Sequence, residues 1–366
     1  MNRILLVIIA LSLFISCSKD DGNVPVKEQI DSSPISAVDI SSYPEIAKTH
    51  PTFYNLTGKE EDFLSILSNN GVNTIRLRLW HNPNIEHSGY NEVLQLSKTL
   101  KAKGFKIILT LHYSDTWADP GQQNTPVHWQ RLNFSALKYE VYNYTTKVVK
   151  EIQPHYIQIG NEINSGFLHP YGHIIDHFQQ FNDLMVAGIA AVRDHSKSTA
   201  IIVHFAGIDG ADWFYKQISN LDYDIIGLSY YPMMHGKSLS KVKDKMEYLS
   251  ETHNKKVLIA ETAYPFTLDW NDWTNNIVGL EDQLISPQYP ATMDGQLNYM
   301  QAINTMCGEV NDCLGFCYWG GELISWKGKE ARDGSSWENQ ALFDFNNRAL
   351  PALKAFNVNP KHLPIR

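Results

Sequence analysis

The chain has 366 residues, a length that suits either two or three ordinary domains or one elaborated α/β barrel. Hydrophobic residues make up 43% and charged residues 19%, which supplies a large core and excludes a disordered, solvating polymer. Lys and Arg total 31 against 39 Asp and Glu, a net charge of −8 with no basic block, so no nucleic acid partner is expected.

The first residues read as an export signal. Met1-Asn-Arg3 is basic, and Ile4 to Ile15 is apolar apart from Ser12, too short to span a membrane as a mature helix. Cys17, directly after this run, resembles the lipidated cysteine of bacterial lipoproteins, and Ser18-Lys19-Asp20-Asp21 resembles the tag of surface-exposed ones. The resemblance implies a signal over residues 1–16, a Cys17 lipid anchor in the outer membrane as the only membrane contact, and a body facing the cell exterior. A plain cleaved secretion signal is the alternative. Residues 17–34 form a polar stretch with prolines, read as a tether, which leaves 35–366 as one folded domain.

Within that domain, eight short apolar runs read as strands: Ala37–Ile40, Thr74–Trp80, Lys106–His112, Tyr156–Gly160, Ala200–Phe205, Ile225–Tyr230, Val257–Ala260 and Gly315–Trp319. Amphipathic stretches separate them, at Glu60–Ser68, Tyr90–Lys103, Ala136–Glu151, Ile174–Arg193, Ala211–Ser219, Leu239–Thr252 and Gly295–Cys307. Strands apolar on both faces and alternating with helices predict a parallel sheet, and eight repeats predict a closed (β/α)8 TIM barrel. An open doubly wound sheet is the rival, but no Gly-rich phosphate loop follows the first strand.

Active sites of such barrels lie at the C-terminal ends of the strands. Polar and aromatic residues collect there: Arg78 and Trp80, His112, Tyr113 and Asp115, Asn161-Glu162, Tyr230-Tyr231, Glu261 and Trp319. Glu162 and Glu261 each follow an apolar strand directly, so a barrel would converge two carboxyls across its mouth. That is what glycosidic-bond cleavage needs: one proton donor and one nucleophile. Either glutamate alone would be an ordinary helix cap or surface charge.

Asn161-Glu162 with Glu261 resembles the clan of retaining (β/α)8 glycoside hydrolases. Within it, Arg76-Leu-Arg78-Leu-Trp80-His-Asn82-Pro83, His112-Tyr-Ser-Asp115-Thr-Trp117-Ala-Asp119-Pro-Gly-Gln122, Gly160-Asn-Glu-Ile-Asn164-Ser-Gly166, Glu261-Thr-Ala-Tyr264-Pro265 and Tyr318-Trp319-Gly resemble glycoside hydrolase family 53, the arabinogalactan endo-β-1,4-galactanases. The likeness runs from about Val38 to about Phe345. It implies endo-cleavage of β-1,4-galactan and galacto-oligosaccharides with retention, Glu162 as acid/base and Glu261 as nucleophile, no cofactor for the chemistry, and a monomer. It further implies that Arg78 holds Glu261 anionic, that Tyr230 orients it (Tyr231 being the neighbouring register), that Asn161 binds the sugar 2-hydroxyl, and that His112 and Trp319 form floor and wall of the cleaved sugar's subsite. For Arg78 a buried structural ion pair is the alternative.

The chain carries 9 Trp and 18 Tyr, side chains with an apolar face and a polar handle. Trp80, Tyr113, Trp117, Tyr230 and Trp319 are placed to shape a sugar groove; Trp117, Trp129, Trp326 and Trp337 are each either an outer-sugar platform or a plug for their own loop. Asp115 and Asp119 are substrate contacts or loop hydrogen bonds on equal terms. Some relatives tie the loops after strands seven and eight with calcium; here Asp269, Asn271, Asn275, Ser335 and Glu338 offer oxygens, while Trp273 stands where relatives have a ligand. His169, His173 and His177 have helical spacing, but Pro170 and Gly172 break the first turn and argue against a metal. Cys307, Cys313 and Cys317 permit one disulfide, with Cys307 and Cys313 able to close a small loop and Cys317 expected to be buried. A β-mannanase or β-glucanase, or a glycan-binding barrel without catalysis, are the competing functions; the second would be expected to have lost Glu162, Glu261 or Arg78.

Overall fold

The computed structural model describes residues 33–357. Residues 1–32, with Cys17 and the export signal, lie outside the described residues. Eight strands close into one barrel in chain order: β1 (Ile35–Asp39), β2 (Thr74–Leu79), β3 (Lys106–Leu111), β4 (Tyr156–Ile159), β5 (Ala200–Ala206), β6 (Ile225–Ser229), β7 (Lys256–Thr262) and β8 (Cys313–Tyr318). All pairings are parallel, and β1 closes on β8. The expected barrel is therefore present, with strand boundaries displaced by one or two residues.

Two apolar layers hold it. A small inner cluster draws on most of the strands, including Ile35, Ile108, Ile202, Leu258 and Cys317. A larger outer layer packs the other strand faces against the helices. The helices start where the sequence offers caps: Asp62, Asn133, Ser238 and Thr292 each accept from the backbone N–H three residues on, opening Phe63–Asn69, Phe134–Ile152, Leu239–His253 and Met293–Glu309. The helix expected from Ile174 starts at Phe178 instead. The preceding residues form a tight knot in which a Cβ on Gly166 would sit 1.9 Å from the Gly172 carbonyl, so apolar Ile174 belongs to that knot.

Register decides what faces what. Asp39 and Arg76 are direct partners across β1 and β2, and Ser229 is paired with Glu261 after a shift between Leu228 and Ser229. Opposite charges and the acidic end of β7 are thereby brought to one end of the barrel interior.

Candidate active site

Glu261, near the end of β7, is 6% exposed. Its Oε1 lies 2.7 Å from Arg76 Nη2, and its Oε2 accepts from the Tyr231 hydroxyl at 2.8 Å. Arg76 also donates to Asp39 (2.7 Å), Gln158 (2.7 Å) and Asn161 (2.8 Å). Burial raises the Glu261 pKa, and the Arg76 charge and the Tyr231 hydroxyl pull it back toward the anion. Burial likewise works against charge on Arg76, but Glu261 and Asp39 outweigh it and raise the guanidinium pKa.

Two expected roles therefore move by one position on the strand face or in the chain. Arg78 does not hold Glu261. It donates to Ser88 (2.9 Å), sits 2.8 Å from His87 Nε2, and lies over the rings of Trp117 (4.1 Å) and Trp80 (4.6 Å). Burial lowers its pKa to about 10. Arg76 and Arg78 share one face of β2, two residues apart, and the stagger of the barrel sets the deeper one level with Glu261. Tyr230 does not orient the nucleophile either: its hydroxyl donates to the Gly236 carbonyl (2.8 Å) from a fully buried position. β6 ends at Ser229, and consecutive residues there turn opposite ways, which leaves Tyr231 facing Glu261.

Glu162 follows β4 in a left-handed backbone conformation (φ 46°), a strained turn that costs about 1–3 kcal/mol and swings its half-buried carboxyl toward the centre. Gln123 secures the turn, its amide donating to the carbonyls of Asn161 (2.8 Å) and Glu162 (3.2 Å). Burial, then the negative charge of Glu261, push the Glu162 pKa up to about 8. Its Oε1 hydrogen-bonds Ser229 Oγ, which lies 2.9 Å from His204 Nε2; His204 Nδ1 is 3.2 Å from Asn161 Oδ1. Burial and the Arg76 charge keep His204 neutral by lowering its pKa well below the ordinary value. Asn161 Oδ1 only accepts, so the ring proton belongs on Nδ1. Nε2 then accepts from Ser229, and Ser229 accepts from a protonated Glu162. When Glu162 ionises, the Ser229 hydroxyl turns to donate to it.

A carboxylate oxygen of Glu162, one of Glu261 and a ring nitrogen of His204 lie within 4.8 Å of one another. Carboxyls about 5–5.5 Å apart suit direct attack by one of them, whereas a water-activating pair needs about 6.5–9.5 Å. The trio is not a metal centre by its bonding: both Glu261 oxygens and both His204 nitrogens already have protein partners. The site is thus one ionised carboxylate held by a cation and one carboxyl held protonated.

The description "Glycosyl hydrolase family 53" matches residues 35–356. The chain is a member of that family. It is 35% identical to an arabinogalactan endo-beta-1,4-galactanase of Cellvibrio japonicus over 328 residues, covering 84% of this chain and 86% of the relative. An arabinogalactan endo-beta-1,4-galactanase A of Emericella nidulans is 32% identical, covering 85% and 90%. Among solved structures, the family 53 catalytic domain of Ignisphaera aggregans superposes with a TM-score of 0.84 at 36% identity, covering 91% of this chain and 98% of that one. Family 53 membership and the closed barrel agree with the expectation drawn from the motifs.

The remaining expected residues of this family 53 member divide into two groups. Asn161 stands between Arg76 and His204, and its amide nitrogen donates to the Ala118 carbonyl (2.8 Å). His112 Nδ1 accepts from the Ala118 amide (3.0 Å), and burial with the two arginine charges lowers its pKa, so its proton is on Nε2. Trp117 is 38% exposed and packs at 5.6 Å on Trp80 and 6.1 Å on Trp319, a continuous aromatic wall. Trp326 is half-buried, with Lys327 over its ring.

Others serve the scaffold. Asp115 is a loop clamp, accepting from the amides of Asn82 (3.0 Å) and Val127 (2.8 Å), and Asp119 accepts from Gly121 and Gln122 in its own turn. Tyr113 is buried and bonds Thr145 (2.6 Å) instead of facing the groove. Trp129 is a plug, 4.2 Å from His81, and Trp337 is buried 4.7 Å from Trp319. Cys307, Cys313 and Cys317 are thiols, with Cys317 buried as expected. The rings of His169 and His173 meet edge to face at 4.9 Å, and His173 pairs with Asp176. Asp39, Gln123, His204 and Ser229 carry no signal in the motifs, and Tyr231 stands there only as the neighbouring register to Tyr230; a polar residue inside an otherwise apolar strand, as His204 is, is the available clue.

Protein partners take up part of the expected calcium set. Glu338 Oε1 accepts from the amides of Asn271 and Asp272, and Ser335 Oγ donates to the Leu323 carbonyl (2.7 Å) while accepting from Trp337 N (3.3 Å). Two carboxylates of this region are buried: Asp272 is satisfied by Thr274 N (2.7 Å), Ser325 Oγ (3.1 Å) and Ser335 N (3.2 Å), whereas Glu338 Oε2 has no hydrogen-bond partner. Arg332, from the loop after β8, lies over the Trp273 ring at 5.2 Å from its centre. The two loops are joined by carboxylate–amide bonds.

Proposed function

We propose that this family 53 enzyme hydrolyses internal β-1,4-galactosidic bonds of galactan and type I arabinogalactan with net retention. The observation that carries the reading is the Glu162–Glu261 pair, one carboxyl raised to about 8 and the other paired to Arg76, in a chain alike along most of its length to named galactanases. Glu261 attacks the anomeric carbon while Glu162 gives its proton to the departing O4, breaking the C1–O4 bond and leaving a glycosyl ester on Glu261. Water then loses a proton to Glu162 and attacks C1, the ester bond breaks, and both carboxyls return to their starting states. No cofactor takes part. Proton NMR of early products from linear galactan is expected to show the β-anomer first, with mixed oligosaccharides; an initial α-anomer refutes retention, and release of monosaccharide alone refutes endo action. Equal rates on mannan or glucan refute the galactan assignment.

The enzyme is further read as an outer-membrane lipoprotein facing the exterior. Cys17 after the apolar run and Ser18-Lys19-Asp20-Asp21 support this. Replacing Cys17 by Ser is expected to move the protein from the membrane to the soluble fraction, and protease treatment of intact cells is expected to remove the wild-type protein.

A further inference from the structure

The last turn of the helix Met293–Glu309 and the first residue of β8 hold a pair of thiols that the catalytic site does not use. Cys307 is buried and Cys313 is partly exposed. The chain between them folds straight back: Val310 N donates to the Met306 carbonyl (3.3 Å), and Cys313 N donates to the Val310 carbonyl (3.0 Å). Both thiols then donate to one oxygen, the Gly315 carbonyl, Cys307 Sγ at 3.4 Å and Cys313 Sγ at 3.6 Å. That acceptor sits in a tight place. Gly315 pairs with Ile35 across β8 and β1, and at its φ of 134° a Cβ would lie 1.9 Å from the Ile35 carbonyl oxygen, so only glycine fits there. The two thiols also hydrogen-bond each other, and that contact, followed by burial, raises the Cys307 pKa well above the ordinary thiol value.

We infer that Cys307 and Cys313 are a disulfide site that staples the end of this helix to the start of β8, while Cys317 stays a thiol. Two sulfurs that share one carbonyl and touch each other are already brought together by the backbone, so the bond asks for rotation of the side chains about Cα–Cβ. Cys317 belongs elsewhere: it is fully buried in the inner apolar cluster, whereas Cys307 and Cys313 pack in the outer layer. Exposure orders the chemistry. Cys313 gives its S–H proton to water, and its thiolate attacks the disulfide of a small oxidant such as oxidised glutathione, expelling one thiol and leaving a mixed disulfide. Cys307 then loses its proton and attacks the Cys313 sulfur, expelling the second thiol. The pair loses two hydrogens, and the oxidant disulfide is reduced to two thiols. The site rests on geometry alone; export would supply the oxidant. The bond lies at the N-terminal end of β8, with Trp319 past the other end, so it constrains the scaffold away from the cleft.

The test uses the full chain, purified with its thiols reduced and then incubated with oxidised glutathione. Remaining thiols are alkylated in denaturant, and the protein is cleaved after glutamate, which places Cys307 on the fragment 282–309 and Cys313 with Cys317 on the fragment 310–322. The expected product is the two fragments joined, two hydrogens lighter than their sum, parted by a reductant, and carrying the alkyl group on Cys317. Fragments that stay separate, or a cross-link that uses Cys317, overturn the site. The oxidised protein is expected to melt roughly 3 °C above the reduced one, because the bond restricts the unfolded chain. Cys313→Ser, a change at a partly exposed position, is expected to remove both the cross-link and the difference in melting. Equal melting of the oxidised and reduced wild type overturns the staple, and so does a difference that persists in Cys313→Ser.

Discussion

Arg76→Met tests the core of the charge arrangement. The substitution removes a guanidinium that pairs with Glu261 and Asp39 at 2.7 Å each and bonds Gln158 and Asn161, all of it buried. Taking one partner from a buried ion pair costs about 3–5 kcal/mol, because the charge left behind is uncompensated. The expected loss in urea unfolding at neutral pH is in that range. It shrinks as the pH falls and the stranded carboxyls protonate, since their anions are what the guanidinium stabilised. With the Arg76 charge gone, the Glu261 pKa rises further, so the acid limb of kcat/KM is expected to move to higher pH; Arg76→Lys, which keeps a charge, recovers part of both effects. Arg78→Met is the internal control, because Arg78 bonds Ser88 and stacks on Trp80 and Trp117 without touching Glu261. A loss under about 1 kcal/mol with Arg76→Met, or an acid limb that moves with Arg78→Met and not with Arg76→Met, refutes the arrangement.

Three further outcomes follow from the site. Activity is expected to fall as pH rises through about 8, where Glu162 loses the proton it must donate; Glu162→Gln removes that limb and reduces galactan hydrolysis by orders of magnitude, and an unchanged alkaline limb in pH–rate profiles would assign the proton elsewhere. Tyr231→Phe is expected to lower kcat about 10- to 100-fold and raise the acid limb, while Tyr230→Phe is expected to alter melting temperature with little change in kcat. Treatment with a strong chelator is expected to leave melting temperature and activity unchanged, because Asp272 and Glu338 clamp the two loops through amides; a drop of several degrees reversed by calcium would show that a cation does the clamping.

The periodicity of apolar runs was enough to number and order all eight strands, because each is buried on both faces and ends near a glycine or a polar turn. The glutamates were legible for the same reason: each sits one to three residues past an apolar run. What stayed hidden was stagger. Arg76 and Arg78 have the same parity on β2, so sequence could place both inside the barrel but could not say which is level with β7, a matter of strand tilt and the shift between Leu228 and Ser229. Tyr230 and Tyr231 differ in parity, and the end of β6 one residue earlier than expected reversed their roles. Asp115 and Trp129 were ambiguous because a loop that lines a groove also needs its own hydrogen bonds and plug, and in both cases the loop claimed them.

The charges around Glu261 also explain how one carboxyl can serve as acid and then as base. After burial, the largest influence raising Glu162 is the negative charge of Glu261. When Glu261 becomes a glycosyl ester that charge disappears, and the Glu162 pKa falls at the moment it has given up its proton and must accept one from water. The Ser229 hydroxyl, 2.9 Å from His204 Nε2, is placed to turn its hydrogen toward the newly formed carboxylate, and a neutral His204 tolerates the change because its own proton stays on Nδ1, donated to Asn161 Oδ1. The same ester would strand Arg76 as a lone buried cation, at a cost of several kcal/mol. Asp39 prevents this. It pairs with Arg76 at 2.7 Å and accepts from Ser41 N and Oγ, so it stays fixed whether Glu261 is charged or esterified. A residue outside bonding contact with Glu261 thereby keeps the guanidinium in place for the return of the carboxylate.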